Sequence, residues 1–113
     1  MVATYVYMAP YDLQSQTVLA HTVWTSPEIL IPYTAHGFSI SCKSDVDGAL
    51  EIQKELNGAY EDFDSVPITG GATTHPVRVY NFRVPAVKMI FTPAGGVAAV
   101  ISSRVDVTPA VEG

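Results

Sequence analysis

Cysteine is almost absent from this 113-residue sequence, which contains only Cys42. A single cysteine forms no intrachain disulfide and cannot build a zinc site of several thiolates, so Cys42 is predicted to be a small buried hydrophobic residue. Basic residues are also scarce: six Lys and Arg stand against eleven Asp and Glu, for a net charge of −5. Because phosphate binding needs clustered positive charge, we expect no nucleic-acid partner.

Long apolar runs are missing as well. No window approaches the roughly eighteen consecutive apolar residues of a transmembrane helix. The first residues lack the basic stretch and apolar core of a secretory signal. The negative net charge also repels anionic lipid surfaces. We therefore expect no membrane partner and no signal peptide.

Recognisable catalytic motifs are lacking too. His21, His36 and His75 have no second histidine or cysteine at metal-ligand spacing. No serine lies in a Gly-x-Ser-x-Gly elbow, and Gly70 and Gly71 are not followed by the Lys-Ser/Thr pair of a phosphate loop. We predict that the protein is not an enzyme and has no catalytic residue, no metal and no cofactor.

One acidic turn resembles a calcium loop in part. Asp45, Asp47 and Glu51 surround Gly48, and hard cations prefer such carboxylate oxygens on a tight turn. A helix-loop-helix calcium unit needs more ligands and a helix on each side, whereas both flanks here alternate like strands. The Asp-Gly pair favours a β-hairpin, and weak calcium binding at this turn stays open.

A second acidic segment contains Glu61, Asp62 and Asp64, with Glu55 nearby in sequence. These residues could supply the paired carboxylates of a glycosidase, which lie across a substrate-sized cleft. A chain of this length with hairpin-sized loops offers little material for such a cleft. The segment is interpreted as a solvated strand edge, where charge discourages edge-to-edge pairing.

Alternation of apolar and polar residues is the main pattern that is present. Phe38, Ile40 and Cys42 alternate with polar residues, and turn residues interrupt similar segments about every eight to twelve positions, which is typical of a sandwich or barrel. We predict one domain over residues 1–113, an all-β, antiparallel, jelly-roll-like β-sandwich of eight or nine strands. The predicted strands cover residues 2–8, 16–24, 29–31, 37–44, 49–56, 60–69, 75–84, 87–91 and 97–104.

Two terminal arms and several aromatic residues form the predicted interface. The arms are residues 1–10 and 106–113. In the first arm Tyr5 and Tyr7 share one face while Val2 lies on the other, so this strand can pack on a neighbouring subunit. The predicted interface residues are Val2, Tyr5, Tyr7, Trp24, Tyr33, Val107 and Pro109.

The order of features in the last two-thirds of the chain resembles a known family. Residues 38–53 read F-S-I-S-C-K-S-D-V-D-G-A-L-E-I-Q, and residues 82–96 read F-R-V-P-A-V-K-M-I-F-T-P-A-G-G. They resemble the β-sandwich domains of tailed-phage and prophage virion proteins, in which an Asp-x-x-Gly hairpin leads to a Leu-x-Ile strand. A later valine-rich strand of that family ends in a glycine turn, and Val84, Val87 and Lys88 occupy its positions here.

The resemblance implies a non-enzymatic virion structural protein of the capsid decoration, head fibre or tail accessory type, foremost a capsid decoration protein. It implies a capsid or other virion protein as partner, a homo-oligomer with a trimer favoured, and a place on the outer surface of the virion after synthesis in the host cytoplasm. The alternative hypothesis is a carbohydrate-binding module or a receptor-binding accessory domain. In that case Trp24 and the exposed tyrosines would stack on sugar rings.

Overall fold

Two β-sheets lie face to face and enclose the core between them, as predicted. The computed structural model of the chain describes residues 6–71 and 78–109, and this part contains ten strands and a short 3₁₀ turn, Ala94–Gly96. The strands are β1 (Val6–Met8), β2 (Tyr11–Val18), β3 (Trp24–Thr25), β4 (Glu28–Leu30), β5 (Ala35–Ser44), β6 (Gly48–Leu56), β7 (Ala59–Ile68), β8 (Arg78–Tyr80), β9 (Ala86–Pro93) and β10 (Ala99–Pro109).

The larger sheet has the strand order β1-β4-β9-β6-β7, with the short β3 also paired to β9. The smaller sheet has the order β2-β10-β5-β8. Every described strand pair is antiparallel except β1 with β4, which run parallel. The described part of the chain includes no helix long and apolar enough to cross a membrane.

The core is formed by the inward side chains of both sheets. In β6, Leu50 and Ile52 are fully buried while Glu51 between them is exposed, which confirms the predicted alternation. Burial of such aliphatic and aromatic side chains is the main favourable contribution to folding. The largest fully buried side chains are those of Phe38, Phe91, Ile29, Ile31, Ile40, Leu50, Ile52, Met89, Ile101, Val87, Val105 and Cys42.

The turn between β5 and β6 is hydrogen-bonded to the beginning of β10 and to the loop after β7, and we call this end of the sandwich the hairpin end. The Val100 N–H donates to Asp45 Oδ1 at 2.8 Å, and the Gly70 N–H donates to Asp47 Oδ1 at 2.7 Å. Each carboxylate therefore has a structural role in joining these segments. Within residues 6–71 and 78–109, no group of three or more His, Cys, Asp and Glu is arranged to hold a metal ion.

Aromatic rings close one side of the sandwich, between the edge strands β7 and β8. The ring of Phe63 lies 5.3 Å from that of Tyr80, which lies 4.8 Å from Phe38. The Tyr80 hydroxyl donates to Asp64 Oδ2 at 2.6 Å. The predicted edge position of this acidic segment is confirmed, but Asp64 also joins the two sheets across their open side.

The prediction of one strand over residues 16–24 is wrong. β2 ends at Val18 and β3 begins at Trp24. Between them the Thr22 N–H and hydroxyl both donate to the Leu19 carbonyl, and His21 has a φ of +62°. This turn contains neither glycine nor proline, so the usual turn residues do not mark it. The split raises the strand count to ten.

The predicted C-terminal arm does not begin at Asp106. β10 continues to Pro109, and Asp106 and Val107 pair with Ser39 and Phe38 of β5. The first predicted arm is likewise part of the sandwich over residues 6–10, because β1 pairs with β4 and the Ala9 N–H donates to the Leu30 carbonyl at 2.9 Å. The rest of both arms, residues 1–5 and 110–113, lies outside the described residues.

Candidate functional site

The outer face of the smaller sheet carries a row of short polar and charged side chains. Alternation along β5 turns Phe38, Ile40 and Cys42 into the core. Ser41 and Lys43 therefore lie on the outer face, where Lys43 is exposed and Ser41 is largely covered. β10 lies between β2 and β5. This strand order sets three strands of polar residues side by side on one surface.

Register brings distant residues of this face together. Arg104 of β10 lies opposite Asp12 of β2 and opposite Ser41 of β5. One step along, Ser102 lies opposite Lys43. β2 and β5 each lie one strand spacing, about 4.8 Å, from β10. Side chains on the outer face of all three strands are therefore close to one another.

Two adjacent depressions lie on this face, and together we call them the small-sheet groove. One has a volume of about 280 Å³ and is bordered by Asp12, Ser41 and Arg104. The other, about 410 Å³, extends toward the hairpin end and is bordered by Asp45 and Val100. Lys43 and Ser102 border both depressions, so the two are adjacent. From Arg104 to Val100 the groove follows β10 for about 13 Å.

At one end of the groove two carboxylates contact one guanidinium, so this group of three side chains carries a net negative charge. Arg104 Nε lies 2.7 Å from Asp106 Oδ2, and its Nη1 lies 3.8 Å from Asp12 Oδ2. The hydrogen bond to Asp106 raises the pKa of the Arg104 guanidinium, which therefore stays cationic. This triad offers a ligand both donors and acceptors.

The outer face of the larger sheet has a different character. The Tyr60 hydroxyl donates to Glu28 Oε1 at 2.7 Å, and the Lys88 ammonium lies over the Tyr60 ring, 4.4 Å from its centroid. Partial burial, followed by the contact with Glu28, raises the pKa of Tyr60. The polar groups of this tyrosine and lysine are already engaged within the protein.

Three of the predicted interface residues, Trp24, Tyr33 and Val107, lie on different parts of the sandwich. Trp24 is half-buried, packs against the core and lies opposite Phe91 of β9. Tyr33 is 83% exposed and follows β4, which pairs with the other end of β9. Val107 is half-buried against the core. Pro109 ends β10 and Tyr7 lies in β1, both described by backbone alone, while Val2 and Tyr5 lie outside the described residues.

An exposed apolar patch lies at the hairpin end. Leu19, Val23 and Val97 are 67%, 54% and 46% exposed. Their loops are joined by a hydrogen bond from the His21 N–H to the Gly96 carbonyl, at 3.1 Å. Sequence reasoning missed this patch because it treated Leu19 and Val23 as residues of one strand.

The histidines were not predicted to form a site. His21 and His36 are exposed and lie in different loops or strands, whereas His75 lies outside the described residues.

The small-sheet groove was not predicted from the sequence. The available signal was the outward position of Ser41 and Lys43 in a strand with a clear alternation, but the partners from β2 and β10 could not be assigned without the strand order.

Cys42 lies on β5 beneath the groove and faces the core. Burial raises the pKa of its thiol from 9.0 to about 11. The folded protein thus holds this proton more tightly than the unfolded chain. The contribution of the thiol to the free energy of unfolding is therefore fully present below pH 9 and is lost as the pH rises toward 11. The shift corresponds to roughly 2–3 kcal/mol.

We expect urea unfolding to show this loss between pH 8 and pH 11 in the unaltered protein. Cys42→Ala should be less stable at pH 8, because a buried group is removed, but should lose less of its free energy of unfolding on going to alkaline pH. Both proteins keep Tyr60 and Tyr80, whose pKa values are also raised, so the difference between them isolates the thiol. Equal losses in the two proteins would contradict the assignment.

Comparison with known proteins yields a likeness of fold only. No family model matches the sequence, and no curated protein matches it either. A solved structure of similar fold is a family 6 carbohydrate-binding module, whose binding sub-sites were dissected by crystallography and calorimetry. The match covers 96% of this chain and all of that one, at 11% sequence identity and a TM-score of 0.47. At these values the likeness has no bearing on the ligand or the site.

Proposed function

We propose that this chain is a non-catalytic binding domain and that it binds a carbohydrate along the small-sheet groove. The observation that carries the proposal is the adjacency of two depressions, which share the bordering residues Lys43 and Ser102. Together they make an elongated depression on the sheet, bordered by both polar and apolar surface and long enough for linked sugar rings.

The chemistry of the groove supports this ligand class. Sugar hydroxyls both donate and accept hydrogen bonds, and the groove supplies serine hydroxyls, the Asp12 carboxylate and the Arg104 guanidinium. Hydrogen bonds to charged groups are the stronger ones, each contributing about 1.5–3 kcal/mol. Trp24, the stacking residue suggested by the sequence, belongs to the larger sheet and is not part of this site.

Filling the groove tests the proposal. We expect Ser102→Trp to abolish binding to any glycan that the unaltered protein retains on a glycan array, because Ser102 borders both depressions. The matched control is Ser65→Trp, an exposed serine of β7 in the larger sheet, which should leave glycan binding unchanged. Thermal melting of both variants confirms that they are folded.

A glycan that binds equally well to Ser102→Trp would place the site elsewhere on the protein. An unaltered protein that retains no glycan on the array would overturn the proposed function. For a glycan that the array retains most strongly, isothermal titration calorimetry measures the change in Kd for each variant.

The virion structural role is a second candidate, and the apolar patch at the hairpin end favours it. Exposed side chains such as Leu19, Val23 and Val97 suit contact with another protein more than contact with a sugar. A capsid decoration protein should bind no glycan, so the array separates the two candidates. Native mass measurement of the protein, alone and mixed with tailed-phage capsids, tests the expected oligomer and its attachment.

A further inference from the structure

Five of the six basic side chains are already engaged within the protein. They pair with carboxylates, donate to backbone carbonyls or lie over aromatic rings. The contacts are Arg78 with Asp64 at 3.4 Å, Arg104 with Asp106 at 2.7 Å, Arg83 with the carbonyls of Pro32 and Ile31 at 2.9 and 3.0 Å, Lys54 over Phe63 at 5.6 Å and Lys88 over Tyr60 at 4.4 Å.

Lys43 is the exception among them. Within residues 6–71 and 78–109, its ammonium has no carboxylate within 4.0 Å and lies over no aromatic ring. The side chain is exposed. The protein has eleven acidic residues and only six basic ones. An unpaired lysine is unusual in it because carboxylates outnumber basic side chains.

The position of Lys43 matters as much as its charge. It borders both depressions and therefore lies at the centre of the small-sheet groove. The acidic groups on either side contact other partners: Asp12 forms a long ion pair with Arg104, at 3.8 Å, and Asp45 accepts the Val100 N–H. Across the ladder Lys43 faces the neutral Ser102. A ligand in the groove thus meets a cation that forms no ion pair with a carboxylate of the described residues.

We propose that the ligand is an acidic carbohydrate and that Lys43 binds its negatively charged group, a ring carboxylate or a sulfate ester. This inference rests on the proposed function of the groove and adds the ligand class and the residue that selects it. An ammonium has three donors and no acceptor, so it makes charge-assisted hydrogen bonds with either group. A neutral sugar can accept hydrogen bonds from Lys43 but brings no negative charge to offset the ammonium.

The test compares acidic oligosaccharides with neutral counterparts of the same backbone. Oligogalacturonate and its methyl ester form the carboxylate pair, and a sulfated galactan oligosaccharide and its desulfated form make the sulfate pair. Calorimetry at low and moderate salt measures each Kd. We expect an acidic member to bind about tenfold or more tightly than its neutral counterpart, the difference that one charge-assisted hydrogen bond supplies, and to weaken as salt is added.

Substitution of Lys43 identifies the residue responsible. Lys43→Gln should remove the preference, so that the acidic member binds no more tightly than the neutral one, and Lys43→Arg should keep most of the preference. The matched control is Lys88→Gln, which removes the same charge from the larger sheet and should change neither Kd. Because Lys43 has an exposed side chain, these variants are expected to melt at nearly the temperature of the unaltered protein.

Each outcome has one meaning. Equal binding of the acidic and neutral members, or an acidic preference that survives in Lys43→Gln, would overturn this inference and leave the proposed function intact. Binding of no member of either pair, together with an array that retains no glycan, would overturn the proposed function and this inference with it. Whether the carboxylate pair or the sulfate pair shows the preference identifies the acidic group.

Discussion

Phe38→Ala is expected to lower the free energy of unfolding by about 3–5 kcal/mol, the usual loss for truncating a buried aromatic residue. Phe38 is 0% exposed, and its ring lies 4.8 Å from Tyr80 and 6.1 Å from Phe82. Truncation leaves a cavity where β5 of one sheet meets the aromatic rings that close the side of the sandwich. A small domain has a total stability of about 5–15 kcal/mol, so the variant should be close to unfolding.

Urea titration followed by tryptophan fluorescence measures this loss, since Trp24 packs against the same core. The matched control is Phe82→Ala, which removes the same atoms from the same aromatic cluster. Phe82 is 46% exposed, so its truncation removes less buried surface and should cost less than half as much. Equal losses for the two variants would mean that burial at Phe38 does not dominate the stability of the cluster.

Gly37→Ala is expected to cost about 3 kcal/mol through overpacking. An added Cβ at Gly37 would lie 2.2 Å from the backbone oxygen of Tyr80 and 3.3 Å from the Cα of Asn81. Backbone atoms cannot turn aside as a flexible side chain does, so β8 would have to move away from β5. That movement disturbs the pairing of Phe38 with Tyr80.

Thermal melting and urea titration measure the effect. Ala49→Val is the control, because it also adds bulk within a strand, but at an exposed position of β6, where changes usually stay within about 0.5 kcal/mol. If Gly37→Ala were as stable as the control, β8 would be free to shift and the close approach would not constrain the fold.

Both predictions concern β5, and the same strand carries the centre of the proposed site. Alternation places Phe38 and Cys42 on the core side and Ser41 and Lys43 on the groove side. Substitutions on the first face should change stability, whereas Lys43→Gln on the second should change ligand preference at nearly constant stability. The two kinds of measurement therefore separate support of the fold from recognition.

Much of the local structure follows from short-range patterns. The strand over residues 37–44 and the hairpin at Asp45–Gly48 were predictable, because alternation and an Asp-Gly pair act within a few residues. The turn at Leu19–Val23 was not, since His21 adopts a positive φ without glycine. The extension of β10 beyond Asp106 was also missed. It depends on pairing with β5, whose partner residues lie about seventy positions earlier in the sequence.

The sequence by itself determined that two sheets enclose an aliphatic core, and it determined which side chains of β5 and β6 face that core. It also placed Lys43 on an outward face. Only the tertiary structure decided that Lys43, Ser102 and Asp12 border one groove, because β10 is inserted between β2 and β5. The alternation of side chains along a strand determines which face of the sheet a residue lies on. Its neighbours on that face depend on strand order and register, which arise from pairing between segments that are distant in sequence.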